Sequence, residues 1–352
     1  MSANTNSIPA NSPARKKRRT SAVTLHDVAR LAGVAPITAS RAINHPDQVS
    51  DALKARVTKA VNETGYIPNL VAGSLASSKS RLVAMLVPTL VGPVFQETVQ
   101  ALSTALHTAG YQLFIGQSGY HDAKEDAFLD TIIRRRPDAI VLTGLLKSAS
   151  ARKRLIASGI PVVETWDLSN HPVDMLVGFS HEAIGQAVAA YFHQQGRRNP
   201  VVIGANDARS VRRANAFCKT FSAYSPKPSS SIPRVISVAA PATLGDGRTS
   251  LSQLIQENHP VDAVFCSSDL LAHGVMIEAQ VRNIAIPDAL SVVGFGDVSY
   301  AKDVHPSLST IRIDGANIGK LAAQMIIQRL THQTITQPIS DVGFELIIRQ
   351  ST

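Results

Sequence analysis

The hydrophobic positions change their period along this chain. From Leu25 to about residue 68 they recur at helical spacing in three short stretches. Leu25, Val28, Ala29 and Ala32 share one face of the first, Ala39 and Ile43 point inward from the second, and Leu53, Val57, Ala60 and Val61 form the stripe of the third. Thr24 suits the N-cap of the first helix, with Asp27 three residues on as a short capping-box partner. Gly33 ends that helix in a tight turn, and Pro36 fits the first turn of the next, where its missing N–H costs nothing. Ser50 caps the third helix, which Gly65 and Pro68 stop. Two helices joined by a tight glycine turn, with a third closing the core, predict a helix-turn-helix head whose second helix enters a DNA major groove N-terminus first. A plain three-helix bundle is the alternative.

From residue 81 the pattern becomes apolar runs of strand length alternating with helical stretches. The runs 82–87, 113–116, 139–142, 162–164 and 175–177 form one set, and 201–204, 235–238, 263–266 and 292–295 a second, with a last strand near 344–348. Strands that are hydrophobic almost throughout, set between helices, predict parallel sheets covered on both faces. Their number is high for one sheet, so two similar α/β subdomains are expected. Open α/β sheets bind ligands at the carboxyl ends of their strands. The candidates there are Gln117 and Ser118, Trp166 and Asp167, Phe179, Asn206 and Asp207, Ser268 and Asp269, and Asp297.

Composition adds limits. The chain has 352 residues, 44% hydrophobic and 17% charged, which suits two or three globular units. No apolar run approaches the roughly 18 residues of a membrane span, and the first residues lack the apolar stretch of a secretory signal, so a cytoplasmic protein without a membrane partner is expected. The only cysteines are Cys218 and Cys266, too few for a disulfide framework or a four-cysteine zinc site. The formal net charge is +9 and unevenly spread: residues 1–80 hold 11 Lys/Arg against 4 Asp/Glu. That is the footprint of a polyanion-binding head on a near-neutral body, and it favours the DNA-binding reading over the plain bundle. Residues 1–23 are rich in Ser, Asn, Pro and Ala and carry the run Arg15 to Arg19, which predicts a disordered arm. The run suits either contact with phosphates or a merely solubilising tail. No Gly-x-Gly-x-x-Gly, Walker loop or Gly-x-Ser-x-Gly occurs, and the histidines show no zinc-ligand spacing, so neither an enzyme nor a cofactor or metal is expected. His181, His273 and His305 read as structural or surface residues.

Thr24-Leu25-His26-Asp27-Val28-Ala29, Ala32-Gly33-Val34, Ser40-Arg41, Asn44, Val49-Ser50 and Gly65-Tyr66-Ile67-Pro68-Asn69 together resemble the lactose/galactose-repressor family of bacterial regulators. The resemblance is dense over about residues 24–80 and thinner beyond. It implies that Pro36, Ile37 and Arg41 reach base edges, Arg41 pairing bidentately with guanine. Pro36 and Ile37 offer no side-chain hydrogen bonds and can read only by shape or by touching a thymine methyl. Ala35 stands where the family usually has a Ser or Thr cap, a loss of about 1 kcal/mol of helix stability. Thr24, Thr38, Ser40, Asn44 and Tyr66 become phosphate or positioning contacts. Residues 69–80 become a hinge helix, with Asn69, Leu75 and Ala76 at the DNA and Leu75 wedged between base steps of the minor groove. On composition alone, Gly73 and the surrounding serines would suit a passive linker.

The same resemblance implies a periplasmic-binding-protein-like core over 81–352. Lobe 1 is expected at about 81–180 and 311–338, lobe 2 at about 181–310 and 339–352, with crossings near 180, 310 and 338. An effector would bind between the hinged lobes. Arg213, four residues before Phe217, matches the family's effector-binding arginine, and Gln117, Trp166, Asp167, Phe179, Ser268 and Asp297 complete the expected site. Ser268 stands where many sugar-responsive members have Asn, and Gly296 where many have Asp. Keeping the arginine while losing a carboxylate favours an anionic ligand, which a guanidinium grips as a bidentate fork. Trp166 could cover a sugar's C–H face, or serve in the core. The runs Glu164-Thr165-Trp166-Asp167-Leu168 and Gly178-Phe179-Ser180-His181-Glu182 are similar to the gluconate-utilisation branch of that family. The expectation is a homodimeric repressor released from a pseudo-palindromic double-stranded operator by gluconate. Repressors answering another sugar, idonate, a keto-gluconate or a phosphorylated sugar acid, and purine-type corepressed regulators, are the alternatives.

Overall fold

The computed structural model describes residues 23–67, 80–90, 93–120, 122–224 and 232–352. Two compact units divide between Ser78 and Lys79. The first holds α1 (Leu25–Ala32), α2 (Pro36–Asn44) and α3 (Asp51–Thr64), with a short 3-10 turn at Pro46–Gln48 between the last two. Its core is small: Val28, Ala32, Ala42, Val57 and Ala60 are buried together, and Val34, Ile43, Leu53 and Tyr66 close around them. The alanines let the helices approach closely. Asp27 reaches back to accept the Thr24 backbone N–H at 3.0 Å. Arg56 of α3 donates to the carbonyls of Ala32 and Gly33 at 2.9 and 3.3 Å, supplying partners for the end of α1 and a cation where its dipole favours one.

The second unit carries two sheets. In chain order its elements are β1 (Leu82–Val87), α4 (Gln96–Thr108), β2 (Gln112–Gln117), α5 (Asp122–Arg134), β3 (Ala139–Thr143), α6 (Ala149–Ser158), β4 (Val162–Thr165) and β5 (Met175–Gly178). Then come α7 (His181–Gln194), β6 (Pro200–Ala205), α8 (Ala208–Ala223), β7 (Arg234–Val238), α9 (Leu244–Gln256), β8 (Ala263–Cys266), α10 (Asp269–Val281) and β9 (Ser291–Phe295). The chain finishes with β10 (Ser309–Arg312), α11 (Gly315–Leu330), β11 (Ile339–Asp341) and β12 (Glu345–Ile347). The first sheet runs β11-β5-β4-β3-β1-β2 and the second β12-β10-β9-β8-β6-β7. Every pairing is parallel except β10 with β12.

Alternation within each strand sends side chains to both faces, so each sheet is sandwiched by helices. In the first sheet Val83, Met85 and Val87 pack with Leu102, Leu106 and Ile318, while Ala84, Leu86 and Ile140 pack with Leu129 and Leu155. In the second, Val201, Ile203 and Val264 pack with Leu251, Leu254 and Leu271. Its other face, with Val202, Phe265 and Val293, joins the same continuous core as the first sheet through Trp166, Phe179 and Phe295. Among the described residues no helix is long and apolar enough to cross a membrane.

Two strands were not expected, and each moves a lobe boundary. β10 pairs with β9, so the chain stays in lobe 2 through Arg312 rather than leaving at 310. β11 pairs with β5, so residues 339–341 belong to lobe 1, and the third crossing lies at 342–344 instead of 338. Both strands are short and polar, Ser-Thr-Ile-Arg and Ile-Ser-Asp, and gain their place from partners far away in sequence. The expected arm 1–22 and the positions Asn69, Leu75 and Ala76 lie outside the described residues.

The helix carrying Arg213 is held by a close approach. α7 meets α8 at Gly185, where a β-carbon would stand 2.3 Å from the Arg213 carbonyl oxygen and 2.8 Å from the Phe217 nitrogen. Both are backbone atoms and cannot swing aside. Gly185→Ala should therefore lower the unfolding free energy of the core by about 1–3 kcal/mol, read by urea denaturation. An unchanged midpoint would show that the helices part without cost.

Candidate functional site

The exposed face of the head is built by α2. Ala39 and Ala42 bury one side of it, which turns Pro36, Ile37, Arg41 and Asn44 to solvent, while Thr38 and Ser40 are half-buried. Ile37 is 71% exposed, a large apolar side chain at the tip of a helix with nothing of its own unit to cover it. Ala35 occupies the N-cap in extended backbone and offers no side-chain acceptor, and Pro36 follows at the first helical position. Asn44 donates to the Ser40 hydroxyl at 3.2 Å, so these two hold each other one turn apart. Tyr66 packs half-buried against the core of the head, and Thr24 is engaged with Asp27.

The second unit has a cavity of about 120 Å³ between its sheets. Phe95 and Trp166 come from lobe 1; Asp207, Arg209, Ser210, Arg213, Ser268 and Phe295 come from lobe 2. Arg213 is 4% exposed. Its Nη1 donates to His181 Nδ1 at 2.9 Å, and its Nη2 donates to the Ser267 carbonyl at 3.1 Å and the Ser210 hydroxyl at 3.3 Å. The guanidinium lies 4.0 Å from the centre of the Phe295 ring. Its Nε–H has no partner. Burial lowers its pKa to about 10, so it remains a cation at neutral pH.

Arginine can only donate, so His181 Nδ1 must accept. The ring proton then sits on Nε2, which lies 3.1 Å from the Trp166 carbonyl oxygen and donates to it. Burial first, and the cation of Arg213 second, hold the imidazole pKa well below its usual value. Trp166 takes the left-handed backbone conformation, φ 62°. Phe95 and Phe179 meet its ring edge-on at 5.0 and 5.7 Å, and its indole N–H donates to Thr98 Oγ1 at 3.0 Å.

The acids around Arg213 are already occupied. Asp207 caps α8, accepting from the N–H groups of Arg209 and Ser210 at 3.1 and 3.2 Å and from the Ser210 hydroxyl at 2.6 Å. Asp269 accepts from Thr310 Oγ1 at 2.5 Å and from the Val298 N–H at 2.8 Å; burial pushes its pKa up to about 6. Asp167, raised by burial, pairs with Arg212 across the lobes. Arg209, Arg212 and Arg213 stand at the start of α8, where the helix dipole is itself positive. The hydrogen-bonding capacity left over is a donor, suited to an anionic or carboxylate-bearing guest.

Of the expected effector residues, Trp166, Arg213 and Ser268 line this cavity. Phe179 is fully buried behind it, against Trp166 and Phe295. Asp167 lines a neighbouring cavity of about 340 Å³ with Arg209 and Arg212. Gln117 ends the edge strand β2, is exposed, and does not line the Arg213 cavity. Asp297 faces a third cleft, paired with Arg312 and Arg349 at 2.7 Å each, because the backbone turns at Gly296 with φ 127°. That conformation is strained for any residue with a β-carbon, so the missing aspartate at 296 is matched by a backbone unsuited to one. Ser268 spends its hydroxyl on capping α10, accepting from the Leu271 N–H at 3.3 Å. Phe95, His181, Arg209, Ser210 and Phe295 escaped the sequence reading as cavity residues. Only the arginines left a signal: positions 209, 212 and 213 follow the helical spacing that puts side chains on one face.

Residues 24–69 match the family model of bacterial regulatory proteins, lacI family, and residues 189–352 match a periplasmic binding protein-like domain. The HTH-type transcriptional regulator GntR of Pseudomonas aeruginosa is 35% identical over 96% of this chain and 98% of its own length. A LacI-family transcriptional regulator from Silicibacter pomeroyi superposes with a TM-score of 0.86 at 30% identity, covering 94% of this chain and 99% of that one. The transcription regulator GntR from Chromobacterium violaceum superposes with a TM-score of 0.72 at 30% identity over 77% of this chain and 98% of that one. Similarity at 35% identity along nearly the whole length of the Pseudomonas regulator, with a family model matched over the helix-turn-helix head, shows that the chain belongs to the LacI family of DNA-binding transcriptional regulators.

Proposed function

We propose that this regulator is a repressor relieved by a sugar acid, most directly gluconate, bound between the lobes around Arg213. The observation that carries this reading is the buried guanidinium with an unpartnered Nε–H beside acids whose oxygens are already occupied. A neutral sugar needs acceptors for its hydroxyl protons, and here Gly296 and the capping Ser268 have removed two of the usual ones. A carboxylate needs donors, which Arg213 has to spare. The similarity of residues 164–168 and 178–182 to the gluconate-utilisation branch, and the relatives named GntR, agree with it.

The rest of the reading rests on membership of the LacI family and on the residues of the head. Two heads of a cytoplasmic homodimer read two half-sites of a pseudo-palindromic operator, α2 lying in the major groove. Arg41 reads guanine, Pro36 and the exposed Ile37 read shape and a thymine methyl, and Thr24, Thr38, Ser40, Asn44 and Tyr66 set position against phosphates. Leu75 acts in the minor groove, with Asn69 and Ala76 beside it. Effector closes the lobes and withdraws the heads from their register.

A thermal-shift panel of gluconate, related sugar acids, neutral polyols and purines tests the effector class. A sugar acid at about a hundred times its Kd should add about 2.7 kcal/mol of stability and lower operator affinity, and sorbitol, the neutral analogue, should do neither. Equal response to sorbitol, or an operator affinity untouched by saturating gluconate, rejects the proposal. Arg213→Lys keeps the charge but loses the planar fork. It should still bind the operator and no longer respond to effector; loss of operator binding instead would make Arg213 structural. Arg41→Ala should cost about 1–3 kcal/mol at one guanine position and relax specificity there, read by competition with operators altered one base pair at a time.

A further inference from the structure

A buried cation keeps its direction only if its partners keep theirs. Arg213 has three hydrogen-bond partners, and two of them, Ser210 on its own helix and the Ser267 carbonyl, belong to lobe 2. The third is His181, the first residue of α7, three positions past the end of β5. His181 is 1% exposed, and its other nitrogen holds the carbonyl of Trp166, which follows β4 in lobe 1. A single imidazole therefore joins a lobe 1 backbone group to a lobe 2 guanidinium at the first crossing between the lobes. The Phe179 and Phe295 rings flank it at 4.9 and 6.4 Å between ring centres.

We propose that His181 is the positioning residue of the effector site: as the neutral Nε2–H tautomer it fixes the guanidinium of Arg213 for an anionic effector and ties that arrangement to the lobe 1 loop carrying Trp166. The inference rests on the sugar-acid reading for its ligand, but not for its geometry. An imidazolium has no acceptor, so a proton on Nδ1 would break the Arg213 contact and place two cations in contact. The charged groups that weigh on the ring are Arg213, Arg209 and Arg212 of α8, and the Trp166 carbonyl is the one partner that favours its charged form. In the folded protein the ring stays neutral below the pH at which it charges in the unfolded chain. Stability from this site is therefore present above about pH 6.5 and is lost as pH falls below it.

Trp166 is the only tryptophan in the chain, so its emission reports on the surroundings of this one residue, whose carbonyl His181 holds. Three proteins settle the matter: wild type, His181→Ala and His181→Gln. An amide can accept from Arg213 and donate to Trp166 as the neutral imidazole does, so Gln tests the hydrogen-bond pattern rather than the ring. Calorimetry at pH 7.5 should show gluconate affinity falling at least tenfold in His181→Ala and returning to within about threefold of wild type in His181→Gln. Operator affinity without effector should be equal in all three. Equal losses in both variants, or an operator affinity that falls with them, overturns the positioning role.

A second measurement needs no ligand. Between pH 8 and 6.5 the tryptophan emission of the effector-free wild type should stay flat, and its melting temperature should drop below pH 6.5 more steeply than that of His181→Gln. A fluorescence titration centred near 6.5, or identical melting profiles, overturns the neutral relay even if gluconate binds. Failure of gluconate to bind wild type, with the pH behaviour as expected, rejects the sugar-acid reading and leaves His181 in place.

Discussion

Burying a guanidinium away from water is tolerable only when its N–H groups find acceptors, and the acceptors of Arg213 span the two halves of the core. His181 turns its Nδ1 toward the cation and its Nε2–H toward the Trp166 carbonyl, so the arginine, the tryptophan loop and the crossing from β5 to α7 are held as one polar chain. Around that chain the packing is aromatic: Phe95, Trp166, Phe179 and Phe295 touch in succession and continue the core from one sheet into the other. The low dielectric these rings create strengthens each hydrogen bond and raises the cost of leaving one unmade. The unpartnered Nε–H of Arg213 is the exception, on a residue that lines the cavity between the sheets.

The two units solve different problems with different materials. The head has a core of a few alanines and valines, and relies on tight approach, on the Thr24–Asp27 cap and on Arg56 closing the end of α1. Its second helix commits Ala39, Ala42 and Ile43 inward and leaves Pro36, Ile37 and Arg41 exposed. The core unit buries whole strands and can carry polar machinery between its sheets. There the acids are mostly consumed in structural tasks: Asp207 caps a helix, Asp269 ties down the loop after β9, and Asp297 neutralises Arg312 and Arg349. Counting carboxylates in the sequence therefore overstates what is left to hold a ligand.

Helix starts and stops in the head were legible because each is written locally, in Thr24, Gly33, Pro36, Ser50 and Gly65. The long parallel strands were legible because burial on both faces makes them apolar throughout. β10 and β11 were not, since three or four polar residues carry no periodicity and are strands only by virtue of β9 and β5 beside them. The same limit governs the cavity. Trp166, Ser268 and Arg213 follow from position after a strand or within a helix, but Asp297 shares that local position and turns away, because Gly296 redirects the chain and two arginines draw the carboxylate off.

The amino-acid sequence by itself determined the division into a basic helical head and a near-neutral α/β body, the runs that become strands, and the arginine spacing along α8. Periodicity, capping and charge are short-range properties, and a few neighbouring residues suffice to express them. Tertiary structure alone decided which sheet takes each late strand, where the chain crosses between lobes, which acids are already bonded, and that His181 stands between Trp166 and Arg213. Those outcomes depend on contacts between residues tens to hundreds of positions apart, and the desolvation that makes the histidine neutral and the arginine demanding exists only once the chain has folded around them.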